Sequence, residues 1–156
     1  MFVDRLIGLG SPAAALRRAI ELIEQEKFAA AFPLLTRAAK AGIPEAEYRI
    51  ARSYLEGAGV PLSQAEGARW LERAASHGWV EAQSLLAALC VRGLAGRRNG
   101  RPPGEVGGAD RLFSVDAPAD PDFETALKWA RPAAEAGSPE GQALLAYVLK
   151  IGRAHV

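Results

Sequence analysis

Three copies of one short pattern constrain this chain more than anything else in it. Ala38-Ala39-Lys40-Ala41-Gly42 is followed by Ala74-Ala75-Ser76-His77-Gly78 and by Ala133-Ala134-Glu135-Ala136-Gly137, at spacings of 36 and 59 residues. A matched segment follows each glycine: Ile43-Pro44-Glu45-Ala46 on to Gly57, Trp79-Val80-Glu81-Ala82 on to Gly93, and Ser138-Pro139-Glu140-Gly141 on to Gly152. Each runs fifteen residues from glycine to glycine. Because 59 is 36 plus 23, the third copy falls into phase once an insertion between about Leu94 and Asp120 is set aside. A unit of this length cannot bury its apolar face alone; it must stack on its neighbours, so the chain is expected to form a quasi-one-dimensional array.

Within each copy the apolar positions recur at helical steps. Ala46, Ile50 and Tyr54, then Ala82, Leu86 and Cys90, then Gly141, Leu145 and Leu149 mark one helix, A. Ala31, Leu34 and Ala38, then Gly67, Trp70 and Ala74, then Ala126, Trp129 and Ala133 mark a second, B. Small residues at these points let helices approach closely, while a Trp or Leu one turn away fills the wider gap. Gly42, Gly78 and Gly137 stand where a helix end favours a left-handed residue, and Pro44 and Pro139 stand in the first turn of the next helix, where a missing N–H costs nothing. The recurring Glu45, Glu81 and Glu140 fit that first turn as partners of the helix dipole rather than as catalytic carboxylates. The pattern predicts seven helices, over 12–25, 28–41, 44–56, 64–77, 80–92, 122–136 and 139–151, with Ser11 as the first N-cap and Pro12 at N1. Pro33 and Pro132 fall inside two B helices. Each removes a hydrogen bond at a cost of about 3 kcal/mol in a straight helix, and kinks are expected one turn before them.

The pattern Ala-x3-Leu-x3-Tyr-x2-Gly-x-Gly-Val followed by Ala-x2-Trp-x3-Ala-Ala-x2-Gly resembles the Sel1-like repeat, a relative of the tetratricopeptide repeat. Ala46, Ile50, Tyr54, Gly57, Gly59, Val60, Trp70, Ala74, Ala75 and Gly78 stand in it, with Ile50 for Leu and Gly67 for Ala as the departures. The later copies replace Tyr54 by Cys90 and Leu149, and the stretch from Ala13 to Gly42 is looser and nearer the tetratricopeptide form. The resemblance implies an all-α fold: a right-handed α-α superhelical solenoid of antiparallel helix pairs, its A helices lining a concave face, serving as an adaptor or assembly scaffold. The expected organisation is an N-terminal extension over 1–11, a solenoid over 12–152 carrying the insertion 94–120, and a tail over 153–156. Some bacterial members of the family carry a disulfide in every repeat and have been linked to β-lactam chemistry. This chain departs from them, with Cys90 as its one cysteine.

Composition removes several function classes. Nineteen Lys and Arg against eighteen Asp and Glu give no overall field toward nucleic acid or an anionic membrane. His77 and His155 lie far apart, so no metal-ligand cluster is expected, and no cofactor either. None of the seven serines has a lysine three residues on, and Gly-x-Ser-x-Gly, His-Glu-x-x-His and the phosphate-binding Gly-x4-Gly-Lys pattern do not occur. Cys90 holds a core position and reads as an inert buried thiol; His77, near a helix C-terminus, reads as structural. No apolar run reaches the ~18 residues of a membrane span. The opening residues lack the form of a signal peptide, with Asp4 and Arg5 early and Arg17 and Arg18 after. A cytoplasmic protein is the expectation and a periplasmic one the alternative.

The insertion holds glycines at 96, 100, 104, 107 and 108 and prolines at 102, 103 and 118, so a flexible solvated loop is expected there. Arg97, Arg98 and Arg101 could grip phosphate, which makes a weak nucleic-acid binder one alternative function, but acidic residues balance them and no aromatic is interleaved. Leu112-Phe113-Ser114-Val115 is apolar enough to dock on the solenoid. The other alternative is a hydrolase of the β-lactam type. The favoured function is a non-enzymatic scaffold holding a partner protein or peptide on the concave face. The stripe offset from the core on the A helices carries Tyr48, Arg52 and Glu56, then Ser84 and Arg92, then Tyr147 and Lys150. Tyr and Arg are the residues that most often carry interface energy, and Arg52, Arg92 and Lys150 would suit an acidic partner. The last helix has no B partner, so further repeats or a bound protein are expected to cover it.

Overall fold

The structure, a computed structural model, describes residues 10–94 and 120–154, with side chains up to residue 151 in the last helix. Seven α-helices and no strands occur among them: α1 (Pro12–Glu24), α2 (Phe28–Lys40), α3 (Pro44–Glu56), α4 (Gln64–Ser76), α5 (Val80–Val91), α6 (Phe123–Glu135) and α7 (Pro139–Ala154). These agree with the predicted spans to within a residue or two, except that α7 runs three residues past 151 into the expected tail. Both α2 and α6 continue through their prolines, so the expected kinks break neither helix. The insertion, and with it the docking expected of Leu112 to Val115, lies outside the described residues, as does His155.

Each helix packs on its neighbours in sequence, and α5 also touches α7, so helices A of successive units lie side by side. The chain is a right-handed α-α solenoid with two buried clusters in series. Leu35, Ile50, Leu71 and Leu86 are their largest fully buried apolar side chains. Each stabilises the stack by roughly 1.5–3 kcal/mol. On α2 the most buried leucine is Leu35 and not Leu34, which is half-buried, and the next copy has the same phase, with Leu71 fully buried and Trp70 half-buried.

The Ala-Ala-x-x-Gly pattern has a backbone explanation. Gly42 has φ +85° and its N–H donates to Ala39 O (2.9 Å), while Ile43 N–H donates to Ala38 O (3.3 Å). Gly78 and Trp79 do the same to Ala75 and Ala74, and Gly137 and Ser138 to Ala134 and Ala133. This is the Schellman closure, and the alanine pair supplies both accepting carbonyls. Two of the B helices, α4 and α6, start alike as well. Ser63 Oγ accepts from Glu66 N–H (3.3 Å) and Asp122 Oδ1 from Thr125 N–H (2.9 Å). The backbone N–H of each cap residue reaches back to the preceding A helix, Ser63 to Tyr54 O (2.9 Å) and Asp122 to Cys90 O (3.0 Å).

The end of the stack is unlike its interior. Ala51 and Ala87 are fully buried, but Ala146, at the same repeat position, is exposed; Cys90 is fully buried, but Leu149 is 44% exposed. On α3 this position lies under α4, where Gly67 sits so close that a Cβ on it would come within 3.3 Å of Ala51 O.

Candidate partner-binding cleft

A cleft of about 670 Å³ lies across α3, α5 and α7. Its apolar lining comes from Leu55, Leu85, Ala88, Leu89 and Leu144, and its charged lining from Arg52, Glu56, Glu81, Arg92 and Glu140. A second cleft, of about 460 Å³, lies between α3 and the turn joining α1 to α2. Tyr48, Arg52, Glu56 and Glu81 line both, so this row separates them.

Of the seven residues expected to meet a partner, five line the larger cleft: Tyr48, Arg52, Glu56, Ser84 and Arg92. Tyr147 (48% exposed) and Lys150 stand on α7 outside it. The five differ in what they offer. Tyr48 is half-buried, with its ring 6.3 Å from that of Trp79. Ser84 is buried, and its hydroxyl lies 2.9 Å from Ser138 Oγ, which accepts from Gly141 N–H and donates to Glu140. Ser84 therefore ties α5 to the cap of α7 and forms floor rather than rim. Arg52 is already engaged: Nε donates to Glu56 Oε1 (2.8 Å), a second guanidinium nitrogen pairs with the same oxygen, and this bonding raises the arginine pKa above its ordinary value. Arg92 is exposed with no partner among the described residues.

The stripe reaches Leu55 and Ala88, which also line the cleft, but misses Glu81, Glu140, Leu85, Leu89 and Leu144. The glutamates were assigned to helix dipoles, and they do stand in the first turns. Extending the Ser84–Ala88–Arg92 stripe one turn back reaches Glu81, which was the available signal.

Other polar groups serve the stack. Glu47 is fully buried on α3, with Oε2 2.7 Å from His77 Nδ1 and Oε1 3.1 Å from an Arg73 guanidinium nitrogen. Arg73 in turn lies over the Trp70 ring at 4.9 Å. Gln83, at the repeat position of Glu47, donates to Ala75 O (3.1 Å), so the C-terminal turn of α4 is held from both sides. His77 is structural, as read, through a carboxylate that the sequence did not reveal. Cys90 is fully buried, and burial pushes its thiol up to about 12, leaving it protonated and un-nucleophilic near neutral pH. No group of three His, Cys, Asp or Glu suited to a metal ion occurs among the described residues, and none of the described helices is long and apolar enough to cross a membrane.

Comparison with known proteins agrees with this architecture. The Sel1 repeat model matches residues 44–79 and 113–138. The second match opens inside the segment expected to be inserted. No curated protein sequence matches the chain. Among solved structures, a Sel1 repeat protein from Oxalobacter formigenes superposes with a TM-score of 0.65 at 24% identity, over 86% of this chain and 48% of that one. A protective antigen present in uropathogenic Escherichia coli strains, displaying an SLR fold, superposes with a TM-score of 0.69 at 19% identity, over 90% of this chain and 26% of that one. The chain thus spans about half the length of the first and a quarter of the second, and the likeness is one of fold. With three register-matched copies and two stretches matched by the family model, the chain carries Sel1 repeats at residues 44–79 and 113–138, within a solenoid that shares its fold with these structures.

Proposed function

We propose that this protein is a non-enzymatic scaffold that holds a segment of a partner protein in the cleft across α3, α5 and α7. Sel1 repeats in general mediate protein–protein interaction. The observation that carries the reading to this face is the cleft itself: an apolar floor rimmed by charges of both signs, at a volume suited to several side chains of a partner. The absence of nucleophile motifs and the protonated state of Cys90 favour binding over acyl-transfer chemistry. The rim narrows the partner. Three carboxylates against two guanidinium groups, with Arg52 already paired to Glu56, favour a mixed-charge segment over the acidic one expected from Arg52, Arg92 and Lys150.

The test is capture from lysate of the source cell, with the purified chain and a Tyr48→Ala, Arg52→Glu, Arg92→Glu variant matched in helicity and melting. A protein retained by the first and lost by the second is the expected outcome. Equal retention by both would move the binding surface elsewhere.

A further inference from the structure

The charges on the larger cleft are sorted by end. Glu81 and Glu140 stand in the first turns of α5 and α7, and the Ser84–Ser138 hydroxyl contact shows that these two helix starts lie side by side. Neither carboxylate has an ion-pair partner among the described residues, whereas Glu45, their counterpart on α3, is held by Arg49 at 2.8 Å. At the other end stands Arg92, the C-cap of α5, while the Arg52–Glu56 pair, whose charges cancel, belongs to the row that also holds Glu81. Eleven residues separate Glu81 from Arg92, roughly 16 Å along a helix axis. The floor between them is Leu85, Ala88 and Leu89 of α5, flanked by Leu55 and Leu144.

We infer that the cleft takes an amphipathic helix of a partner protein, antiparallel to α5, with acidic residues in its first turn, basic residues in its last and an apolar stripe between. This rests on the cleft reading of the preceding section and adds the partner's secondary structure, direction and charge order. Antiparallel placement brings the helix's basic C-terminal turn to Glu81 and Glu140 and its acidic N-terminal turn to Arg92. That charge order is also the one a free helix favours, since anions stabilise the N-terminus and cations the C-terminus. The two helices' dipoles then oppose, and about three turns of the ligand span the 16 Å. Apolar anchors at i, i+3, i+4 and i+7 give one continuous face for the leucine floor.

The probes are two fourteen-residue synthetic helices with one apolar stripe and one composition: the first acidic at its N-terminal turn and basic at its C-terminal turn, the second with those turns exchanged. Binding to the full chain is measured by fluorescence anisotropy in low salt, and again to a Glu81→Lys, Glu140→Lys, Arg92→Glu variant whose helicity and melting match. The first peptide is expected to bind the natural chain about tenfold more tightly than the second, with the preference shrinking in high salt and reversing on the variant. Comparing the two chains cancels the peptides' different intrinsic helicity. Equal affinities, or a preference the variant leaves untouched, overturn the charge order; if Leu85→Asp still abolishes both, the cleft reading stands without it. No binding by either peptide overturns the helix assignment, and lysate capture then judges the cleft separately.

Discussion

Glu47 is a fully buried carboxylate whose two partners, Arg73 and His77, are about half exposed. Removing it leaves those partners free to hydrate, so the loss is smaller than for a wholly buried pair but still includes a packed side chain and two polar contacts. Glu47→Ala is expected to lower stability by about 1–3 kcal/mol in urea unfolding; a change within 0.5 kcal/mol would mean that desolvation cancels the pairing. Nothing near Glu47 in sequence announces this role. Its partners stand 26 and 30 residues on, in the next helix, and the equivalent positions carry Gln83, which bonds a backbone carbonyl, and Gln142, which is exposed. His77 was legible as structural because a helix end favours positive charge; the carboxylate beneath it was not, since periodicity marks a position's face and not its cross-helix partner.

Between helices, small residues set the approach distance, and Gly141 is the sharpest case. The repeat places Ala46 and Ala82 at its position, so pattern alone recommends Gly141→Ala, with a helix-propensity gain of up to about 1 kcal/mol. The structure argues the opposite. A Cβ there would lie 2.7 Å from Ala133 Cβ and 2.8 Å from backbone atoms of Ala133 and Ala134, so α6 and α7 would have to separate. The substitution is expected to destabilise by about 1–3 kcal/mol, read from thermal melting; a higher melting temperature would show that α7 shifts at no cost. Helix spans, the first cap and the glycine ends were readable because each is local: Ser11 and Gly42 act within four residues of themselves, whereas the caps Ser63 and Asp122 were not singled out. The cleft was readable only in part. Stripe counting found Tyr48, Arg52 and Arg92, but it placed Ser84 at the surface where the cap of α7 covers it, and it extended to Tyr147 and Lys150, which stand beyond the lining.

Taken end to end, the stack treats the connections α3–α4 and α5–α6 as equivalent. Ser63 follows Tyr54 by nine positions and Asp122 follows Cys90 by 32, yet both cap residues donate to the matching carbonyl at 2.9 and 3.0 Å. Loop-closure entropy grows only with the logarithm of length, so the longer connection costs the fold about 1 kcal/mol more. Excising residues 95–112, which leaves the family-matched stretch from 113 intact, is therefore expected to change stability by under about 1 kcal/mol with one cooperative transition in urea; a loss above about 2 kcal/mol would mean that the excised segment packs as part of the core. The bond from Asp122 to Cys90 thus closes 32 positions as tightly as the bond from Ser63 to Tyr54 closes nine. A solenoid whose helix starts are pinned by such bonds fixes each pair's geometry at the two ends of the connection, which leaves the number of residues between those ends free to differ from one unit to the next.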